Sequence, residues 1–261
     1  MNKIAIIGGG NLGTAMALGL IKSEFVSPAA LTVTKRNTFT LAPLQALGVC
    51  VSTDNLLAVK EAGIIILAVK PFQIKEILEA IAPVLTPDHL LISVVTGISL
   101  EEIKTVVKID IPLFRAMPNT AIAIQESITC ISSIQSTIEQ NNYVNALFSS
   151  LGKIALIEEK LMNAATVLGA CGTAFAMRYI RANIQGGIEI GFDAATASLI
   201  AAQTVKGAAE LLLTTHTHPE QEIDKVTTPK GCTIAGLNEM EHQGFSSSLI
   251  KGIAASFAKI G

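Results

Sequence analysis

The sequence predicts an α/β fold, in which a doubly wound, mostly parallel sheet precedes an all-helical segment. Strand and helix patterns alternate through residue 157, and strand signals then stop. Alternating βα units are typical of a parallel sheet with helices on both faces. A glycine-rich turn also joins the first strand to the first helix. We therefore expect an N-terminal α/β domain over residues 1–157 and a helical domain over residues 158–261.

The first turn has the motif G-x-G-x-x-G. It follows an apolar strand over residues 3–7 and opens an apolar-periodic helix. Glycines at these positions allow the tight turn, the approach of a pyrophosphate to the backbone, and close packing of helix on strand. The helix N-terminus then offers free N–H groups to the anion. The motif predicts a Rossmann-like dinucleotide site, although a glycine-rich turn in another α/β protein is the alternative. The expected cofactor-binding residues are Gly8, Gly10, Asn11, Leu12 and Gly13.

The end of the second strand, residues 31–34, indicates which dinucleotide binds. An NAD site calls for Asp or Glu there to bond the ribose 2′-hydroxyl, and this strand ends in cations instead. Two cations with hydroxyl and amide neighbours suit a 2′-phosphate, although a charged turn is often only solvated. We predict NADPH as the cofactor, with NADH also possible. The residues expected at its 2′-phosphate are Thr34, Lys35, Arg36 and Asn37.

Six more strands complete the predicted sheet. They cover residues 49–51, 64–69, 90–95, 112–116, 127–132 and 154–157. Loops after parallel strands gather at one sheet edge, so polar strand ends are expected near the nicotinamide. Each segment has a simpler interpretation, as a solvated lysine or a turn. The expected cofactor contacts are Ala68, Val69, Lys70 and Pro71, and the segments 94–97 and 115–120 lie at the same edge.

Local signals place several helices. Capping boxes are predicted at Ser99–Glu102 and Ser136–Glu139, because Ser/Thr followed three residues later by Glu/Gln marks a helix start. Long helical stretches follow at 160–185, 193–215 and 231–260, the last broken near Gly244, and Pro219 suits the first turn of a short helix.

The C-terminal helices carry few charges. Ala194–Ala202 is small or apolar on all sides, and such a helix is expected to be buried all round. The chain is 50% hydrophobic, and a large subunit interface is the simplest place for the excess apolar surface. We therefore expect a homodimer formed through these helices.

Composition excludes several other classes of protein. No apolar run is long enough to span a membrane, and Met1 leads directly into the first strand without a signal peptide. The net charge of −2 gives no argument for nucleic-acid binding. Four separated cysteines indicate reduced thiols in the cytoplasm. His216 and His218 lack a third ligand and are expected in a polar loop, so no metal site is predicted.

The segment Val226–Leu237 is a hydroxyl-rich loop that runs through Pro229 and Gly231 into a helix. Such a helix start is a natural seat for a carboxylate, and helix capping is the simpler alternative. The segment closely resembles the signature of the pyrroline-5-carboxylate reductases. The resemblance extends over essentially the whole chain, through the segments 8–13, 68–71, 117–120 and 201–209 in the same order and spacing.

The resemblance implies a Rossmann-like domain, a helical dimerisation domain and NADPH-dependent reduction of 1-pyrroline-5-carboxylate to L-proline, the last step of proline synthesis. It implies that the loop holds the substrate carboxylate and that the Thr233 hydroxyl lies near the ring nitrogen. Thr233 and Lys70, beside the nicotinamide, are the candidate catalytic residues. No His or buried carboxylate suggests itself as the acid, so water supplies the proton or the substrate binds already protonated. The candidate substrate-binding residues are Met117, Asn119, Thr120, Val226, Thr228, Gly231, Cys232 and Thr233.

Three positions depart from the family pattern. Lys230 stands where the family has glycine, Cys232 where it has threonine, and Gly169–Phe175 lacks the usual proline. Two alternatives therefore stay open: a reductase of another imine or of a hydroxy acid, and a regulatory relative that only binds NADPH or proline. A hydroxy-acid dehydrogenase of this architecture needs a lysine base in the first C-terminal helix, and between Lys160 and Gly186 the cations are only Arg178 and Arg181, which argues against it. Ring assemblies of dimers occur in the family.

Overall fold

A computed structural model describes residues 3–260 of the chain. These residues form two compact units. The first unit ends at Cys171 and also includes the segment that begins at Phe257. The second unit spans Gly172–Ser256 and contains only helices and turns. The α/β character of the N-terminal part and the helical character of the C-terminal part are thus confirmed.

The first unit is built on one eight-stranded sheet with the order β3-β2-β1-β4-β5-β6-β7-β8. The first six strands have the order of a doubly wound dinucleotide-binding sheet. They are parallel, β7 runs antiparallel to β6, and β8 is parallel to β7. The strands are β1 Ile4–Ile7, β2 Leu31–Thr34, β3 Cys50–Ser52, β4 Ile64–Leu67, β5 Leu90–Ser93, β6 Leu113–Met117, β7 Ser127–Ile134 and β8 Gly152–Leu156. All eight predicted strands are present.

Helices cover both faces of the sheet, which is why β4 is buried along its whole length. Alternate residues of β1 point to opposite faces: Ile4 and Ile6 enter one core, and Ala5 and Ile7 enter the other. The first core also receives α1 (Asn11–Lys22), α2 (Ala42–Ala46) and α6 (Ile138–Ser149). The second receives α3 (Asn55–Glu61), α4 (Ile74–Ile81) and α5 (Leu100–Val107).

Both helices for which a capping box was predicted have one, and one of the two boxes differs from its prediction by a residue. Ser99 and Glu102 form the box at the start of α5, as predicted. At α6 the box is formed by Thr137 and Gln140, and not by Ser136 and Glu139. The Ser136 hydroxyl instead bonds Ser133 and Asn141, which leaves the next residue to cap the helix. The prediction at Ser136 was therefore wrong by one position.

The capping box of α5 predicts a dependence of stability on pH. Hydrogen bonds from the Ser99 backbone and hydroxyl, aided by the nearby charge of Arg115, hold the pKa of Glu102 below its ordinary value of 4.5. A lowered pKa stabilises the fold above the unfolded value, and this stabilisation is lost as pH falls through the folded one. We expect Glu102→Gln, which keeps the box, to abolish this loss. The effect is about 0.5 kcal/mol because Glu102 is largely exposed. Urea unfolding between pH 3 and 6 measures it, and parallel curves for the two proteins would contradict it.

The helices that follow β8 agree closely with the predicted stretches. A short α7 (Met162–Ala165) continues through a π-helical turn at Thr166–Cys171 into α8 (Gly172–Glu189). Pro219 occupies the first turn of α10, and Gly244, with φ +79°, separates α11 from α12. The remaining helices are α9 (Ala194–Thr215), α10 (Pro219–Lys225), α11 (Cys232–His242) and α12 (Phe245–Phe257).

Within the single chain, Ala194–Ala202 is not buried on all sides, and its expected burial between two subunits stays a prediction. In this segment only Ala197 and Ala201 are buried. The reason is that α9 packs mainly on α8. Ala197 lies close to Gly187 of α8, and a Cβ added at Gly187 would be 3.2 Å from the Ala197 Cβ. One neighbour can cover one face of a helix, and apolar side chains such as Leu199 stay exposed.

Candidate active site

The glycine turn lies between the ends of two strands that flank β1. Gly8 and Gly9 donate backbone hydrogen bonds to the Thr34 carbonyl at the end of β2, at 3.2 and 2.7 Å. On the other side, a Cβ at Gly8 would lie 2.5 Å from the Ala68 carbonyl oxygen and 2.8 Å from Val69 Cγ1. Gly8 also has φ +114°, so both space and backbone conformation require glycine. The structure thus brings the first three predicted cofactor segments together.

The other two glycines of the motif differ in their surroundings. A Cβ at Gly13 would lie 2.1 Å from the Gly8 carbonyl oxygen, which is the close packing of helix on turn that the motif requires. At Gly10, by contrast, no atom lies within 4 Å of where a Cβ would be. Gly10 is the exposed N-cap of α1, and no side chain caps that helix start. Asn11 and Leu12 form its first turn, so their backbone is positioned to receive a pyrophosphate.

The basic turn after β2 is ordered by its own hydrogen bonds. Lys35 extends the sheet by donating its N–H to the Ser52 carbonyl at 3.0 Å, and its Nζ donates to Thr40 Oγ1 at 2.7 Å. The side chain of Asn37 accepts from the Phe39 N–H, and Arg36 is exposed. The two cations therefore stand beside the glycine turn, where a ribose 2′-phosphate is expected.

The segment after β4 continues the same edge. Ala68 donates its N–H to the Ile7 carbonyl at 2.8 Å, so it lies beside the last residue of β1. Lys70 is exposed and precedes a short 3₁₀ turn that begins at Pro71. Lys70 is therefore free to reach a bound cofactor, and its catalytic role stays a prediction.

Asn119, after β6, has both ends of its side-chain amide in use. Its Oδ1 accepts from the Ala121 N–H at 3.0 Å, and its Nδ2 donates to the Gly169 carbonyl at 3.2 Å. Its backbone N–H also donates to Ser127 Oγ, at 3.1 Å. Met117 is buried at the end of the strand, and Thr120 is exposed at the start of a 3₁₀ turn. Asn119 thus shapes this loop and connects it to the π-helical turn.

Arg115 is a charged residue near this loop to which the sequence alone assigned no role. Arg115 lies in β6 with only 5% of its surface exposed, and its Nη1 lies 3.2 Å from Glu159 Oε1. The same carboxylate oxygen accepts the N–H of Leu100, the first residue of α5, at 2.6 Å. A lone arginine within the apolar strand Leu113–Met117 was the signal for such a pair.

The hydroxyl-rich loop of the second unit forms a tight turn before α11. The Gly231 N–H donates to the Thr228 carbonyl at 2.9 Å, and a Cβ at Gly231 would lie 2.6 Å from Thr228 Oγ1. Lys230, between Pro229 and Gly231, has φ +60°, in the left-handed region that favours glycine. This explains why glycine suits that position, and Lys230 adopts the same turn at some cost in strain.

The remaining predicted residues of this loop lie at helix ends. Gly231 is the N-cap of α11, Cys232 is exposed at its first position, and Thr233 is partly exposed at its second. Val226 is exposed at the C-terminus of α10. The Thr227 hydroxyl bonds back to the Ile223 carbonyl at 2.7 Å and so belongs to that helix.

The histidines and cysteines take no part in a metal site within residues 3–260, where no three His, Cys, Asp or Glu side chains cluster suitably. His216 ends α9 and His218 caps α10, in the polar loop that was predicted. Cys50, Cys130, Cys171 and Cys232 are free thiols. Across the same residues, none of the helices combines the length and hydropathy that a transmembrane segment requires.

Comparison with known proteins identifies the family. The chain is 44% identical over 276 residues to pyrroline-5-carboxylate reductase 2 of Dictyostelium discoideum, which covers 98% of this chain and 91% of that protein. The chain belongs to the pyrroline-5-carboxylate reductase family. Pyrroline-5-carboxylate reductase 1 of the same organism is 47% identical, and the chain spans 49% of that longer protein. The Methanosarcina acetivorans enzyme is 35% identical, with 96% of this chain and 94% of that protein covered.

The two parts of the chain match separate domain families. Residues 159–261 match the domain described as pyrroline-5-carboxylate reductase dimerisation, and residues 3–97 match that described as NADP oxidoreductase, coenzyme F420-dependent. The fold matches a Plasmodium falciparum pyrroline carboxylate reductase with NADP bound at a TM-score of 0.91 and 26% identity, covering 99% of this chain and 96% of that one. The fold also matches a Streptococcus pyogenes 1-pyrroline-5-carboxylate reductase at a TM-score of 0.88 and 29% identity, covering 99% of this chain and 98% of that one.

Proposed function

We propose that this protein reduces 1-pyrroline-5-carboxylate to L-proline with NADPH, the last step of proline biosynthesis. The observation that carries the proposal is the match to the pyrroline-5-carboxylate reductases along nearly the whole chain, including a relative that is covered over 91% of its length. The cofactor edge of the sheet supports it independently, because its glycine turn leaves room for a pyrophosphate at Gly10. The separated thiols support a cytoplasmic location.

The residues of the first unit would hold and orient the cofactor. When bound, NADPH supplies a hydride to the carbon of the substrate's C=N bond. The start of α1 would hold the pyrophosphate, and Lys35 and Arg36 would neutralise the 2′-phosphate. Lys70, exposed at the end of the same edge, would lie beside the nicotinamide. These contacts would thereby orient the nicotinamide for hydride transfer.

The residues of the loop before α11 would hold the substrate. Backbone N–H groups at Gly231 to Thr233 begin a helix and so favour a carboxylate. Thr228 and Val226 would line this seat, and the Thr233 hydroxyl would bond the ring nitrogen. An iminium accepts hydride far more readily than a neutral imine, so the substrate binds protonated or takes a proton from water. The protein then contributes mainly by positioning the reactants.

The same family match supports a homodimer. The matched dimerisation domain covers residues 159–261, where apolar side chains such as Met177, Leu199 and Ile250 are exposed in the single chain at 61%, 71% and 65%. Exposed apolar side chains within a matched dimerisation domain are candidates for burial at an interface between proteins. We propose that two chains bury it against each other, and that dimers can assemble further into rings.

One assay tests the activity. Purified protein is mixed with NADPH and 1-pyrroline-5-carboxylate, and the loss of cofactor absorbance and the formation of proline are followed together. We expect both to proceed with equal stoichiometry. Tight NADPH binding without turnover would favour a regulatory protein, and turnover with other imines only would favour a reductase of different specificity.

The basic turn predicts the choice of cofactor. We expect Arg36→Ala to raise the KM for NADPH by about tenfold, because one charged contact to phosphate is lost, and to leave the KM for NADH nearly unchanged. Initial rates with each cofactor measure this ratio. Lys22→Ala, at the far end of α1, serves as the control because its cation lies outside the turn. An equal loss with both cofactors would contradict the assignment of Arg36 to the 2′-phosphate.

A further inference from the structure

The segment between β8 and α8 makes two polar contacts with β6 and with the loop that follows it. At its start, Glu159 Oε1 accepts from Arg115 Nη1 at 3.2 Å. Ten residues later, the carbonyl of Gly169 accepts from Asn119 Nδ2 at 3.2 Å. Arg115 belongs to β6, and Asn119 lies in the loop that follows it. Residues 159–171 thus form a clamp segment that is held by one strand and its own exit loop.

The first contact is strongly constrained because Arg115 is buried. The side chain of Arg115 is 6% exposed, and its Nε and Nη2 have no hydrogen-bond partner among residues 3–260. A buried guanidinium must have its charge balanced, and removing its partner leaves an uncompensated charge. Glu159, with 26% of its side chain exposed, is the carboxylate in direct contact with it. The pair therefore has little freedom to rearrange.

Glu159 also connects a third element. Its Oε1 accepts from the N–H of Leu100 at 2.6 Å, and Leu100 is the first residue of α5. The carboxylate thus meets the positive end of a helix dipole as well as the guanidinium. Arg115 also contributes to the lowered pKa of Glu102, after the hydrogen bonds from Ser99, so its charge is felt at the same helix start.

We propose that Arg115 and Glu159 are positioning residues for hydride transfer. Their ion pair, with the Asn119–Gly169 hydrogen bond, holds the clamp segment against β6 and so fixes the Met117–Thr120 loop at the cofactor edge. This inference rests on the proposed function and on the prediction from the sequence that Met117, Asn119 and Thr120 contribute to the substrate site. Neither residue touches the substrate; each acts through the loop. The clamp segment contains the π-helical turn Thr166–Cys171, a type of irregularity that is frequent at functional sites.

The expected effect is on the rate of the chemical step. Hydride transfer needs the reacting atoms within a narrow range of distance and angle, so a small shift of the loop slows it strongly. We expect Arg115→Met to lower the single-turnover rate constant about tenfold at saturating NADPH and substrate, with the NADPH Kd changed less than twofold. Glu159→Gln should show a smaller loss, and Arg115→Lys should recover part of the rate.

A matched control lies next to the pair. Lys160 forms an exposed ion pair with Glu158, and Lys160→Met should leave the single-turnover rate constant unchanged. A merely structural role of Arg115 would lower the amplitude, because fewer molecules would be folded, and would leave the rate constant intact. An unchanged rate constant in Arg115→Met would therefore overturn the proposal. If that variant does not fold, Glu159→Gln and Arg115→Lys decide in the same way.

A second measurement does not depend on activity. Amide hydrogen exchange of residues 166–171 should be faster in Arg115→Met and in Glu159→Gln than in the wild type, and unchanged in Lys160→Met. Unchanged exchange in both variants would show that no clamp exists. If the wild type did not turn over 1-pyrroline-5-carboxylate, the proposed function would fail while exchange would still decide on the clamp. If the wild type turned over and the variants matched it, only this inference would fail.

Discussion

We expect the replacement of Gly10 with alanine to leave the protein folded and to lower its affinity for NADPH about 30-fold, or about 2 kcal/mol. Among residues 3–260, and apart from its two chain neighbours, nothing lies within 4 Å of a Cβ at this position, and the backbone of Gly10, with φ −80°, is open to any residue. Its cost in stability is therefore at most about 1 kcal/mol, from the poorer N-cap. The added methyl group would instead occupy the space where the pyrophosphate must approach the backbone.

Gly13→Ala is the matched control variant, for which we expect a large loss of stability. Its Cβ would lie 2.1 Å from the Gly8 carbonyl oxygen, so the turn must move, and we expect a loss of about 3 kcal/mol in stability. Fluorescence titration with NADPH and urea unfolding separate the two effects. If Gly10→Ala bound NADPH as the wild type does, the glycine turn would not be the cofactor site. A loss of stability in Gly10→Ala that matched that in Gly13→Ala would equally contradict the interpretation.

Thr233→Ala is expected to lower kcat by about 100-fold and to leave the NADPH Kd within twofold of the wild type. The hydroxyl would bond the ring nitrogen most strongly as hydride arrives, and loss of one such group typically costs two orders of magnitude. Steady-state kinetics with 1-pyrroline-5-carboxylate and direct binding of NADPH provide the measurement. Unchanged turnover would remove Thr233 from the mechanism.

Two further variants distinguish the hydroxyl from the fold around it. Thr233→Ser keeps the hydroxyl and should restore most of the rate. Thr227→Ala removes a nearby hydroxyl that donates to the Ile223 carbonyl, so it should change kcat less than twofold. If Thr227→Ala were as slow as Thr233→Ala, the loss would reflect the loop's conformation and not the chemistry at the ring nitrogen.

The sequence predicted the first unit well because its signals are local. Each strand is a short apolar segment, and the glycine motif fits only a strand–turn–helix. The prediction at Ser136 was off by one residue because two neighbouring hydroxyl residues, Ser136 and Thr137, offer nearly the same capping signal. The hydrogen bonds of Ser136 to Ser133 and Asn141, which decide between them, join residues three and five positions away and depend on the conformation of the turn between β7 and α6.

The candidate site was predicted unevenly for a related reason. The glycine turn and the basic turn come one after the other in the chain, and this order is what predicts a pyrophosphate at the first and a 2′-phosphate at the second. Arg115 was passed over: a lone arginine in an apolar strand indicates a buried partner, but Glu159 is 44 positions away and nothing local identifies it as that partner. Asn119 was expected to shape the substrate pocket; its amide bonds Ala121 and Gly169, and its contact with a substrate stays a prediction.

By itself, the sequence determined the α/β class, the glycine turn with its basic neighbour, and the resemblance that the family comparison confirms. These depend on periodicity, turn chemistry and motif order, which the chain carries locally. Only the tertiary structure decided that β7 reverses direction, that α9 buries one face in a single chain, and that Arg115 holds the segment after β8. These depend on contacts between residues far apart in sequence, whose energies are set by burial and charge and leave no periodic pattern.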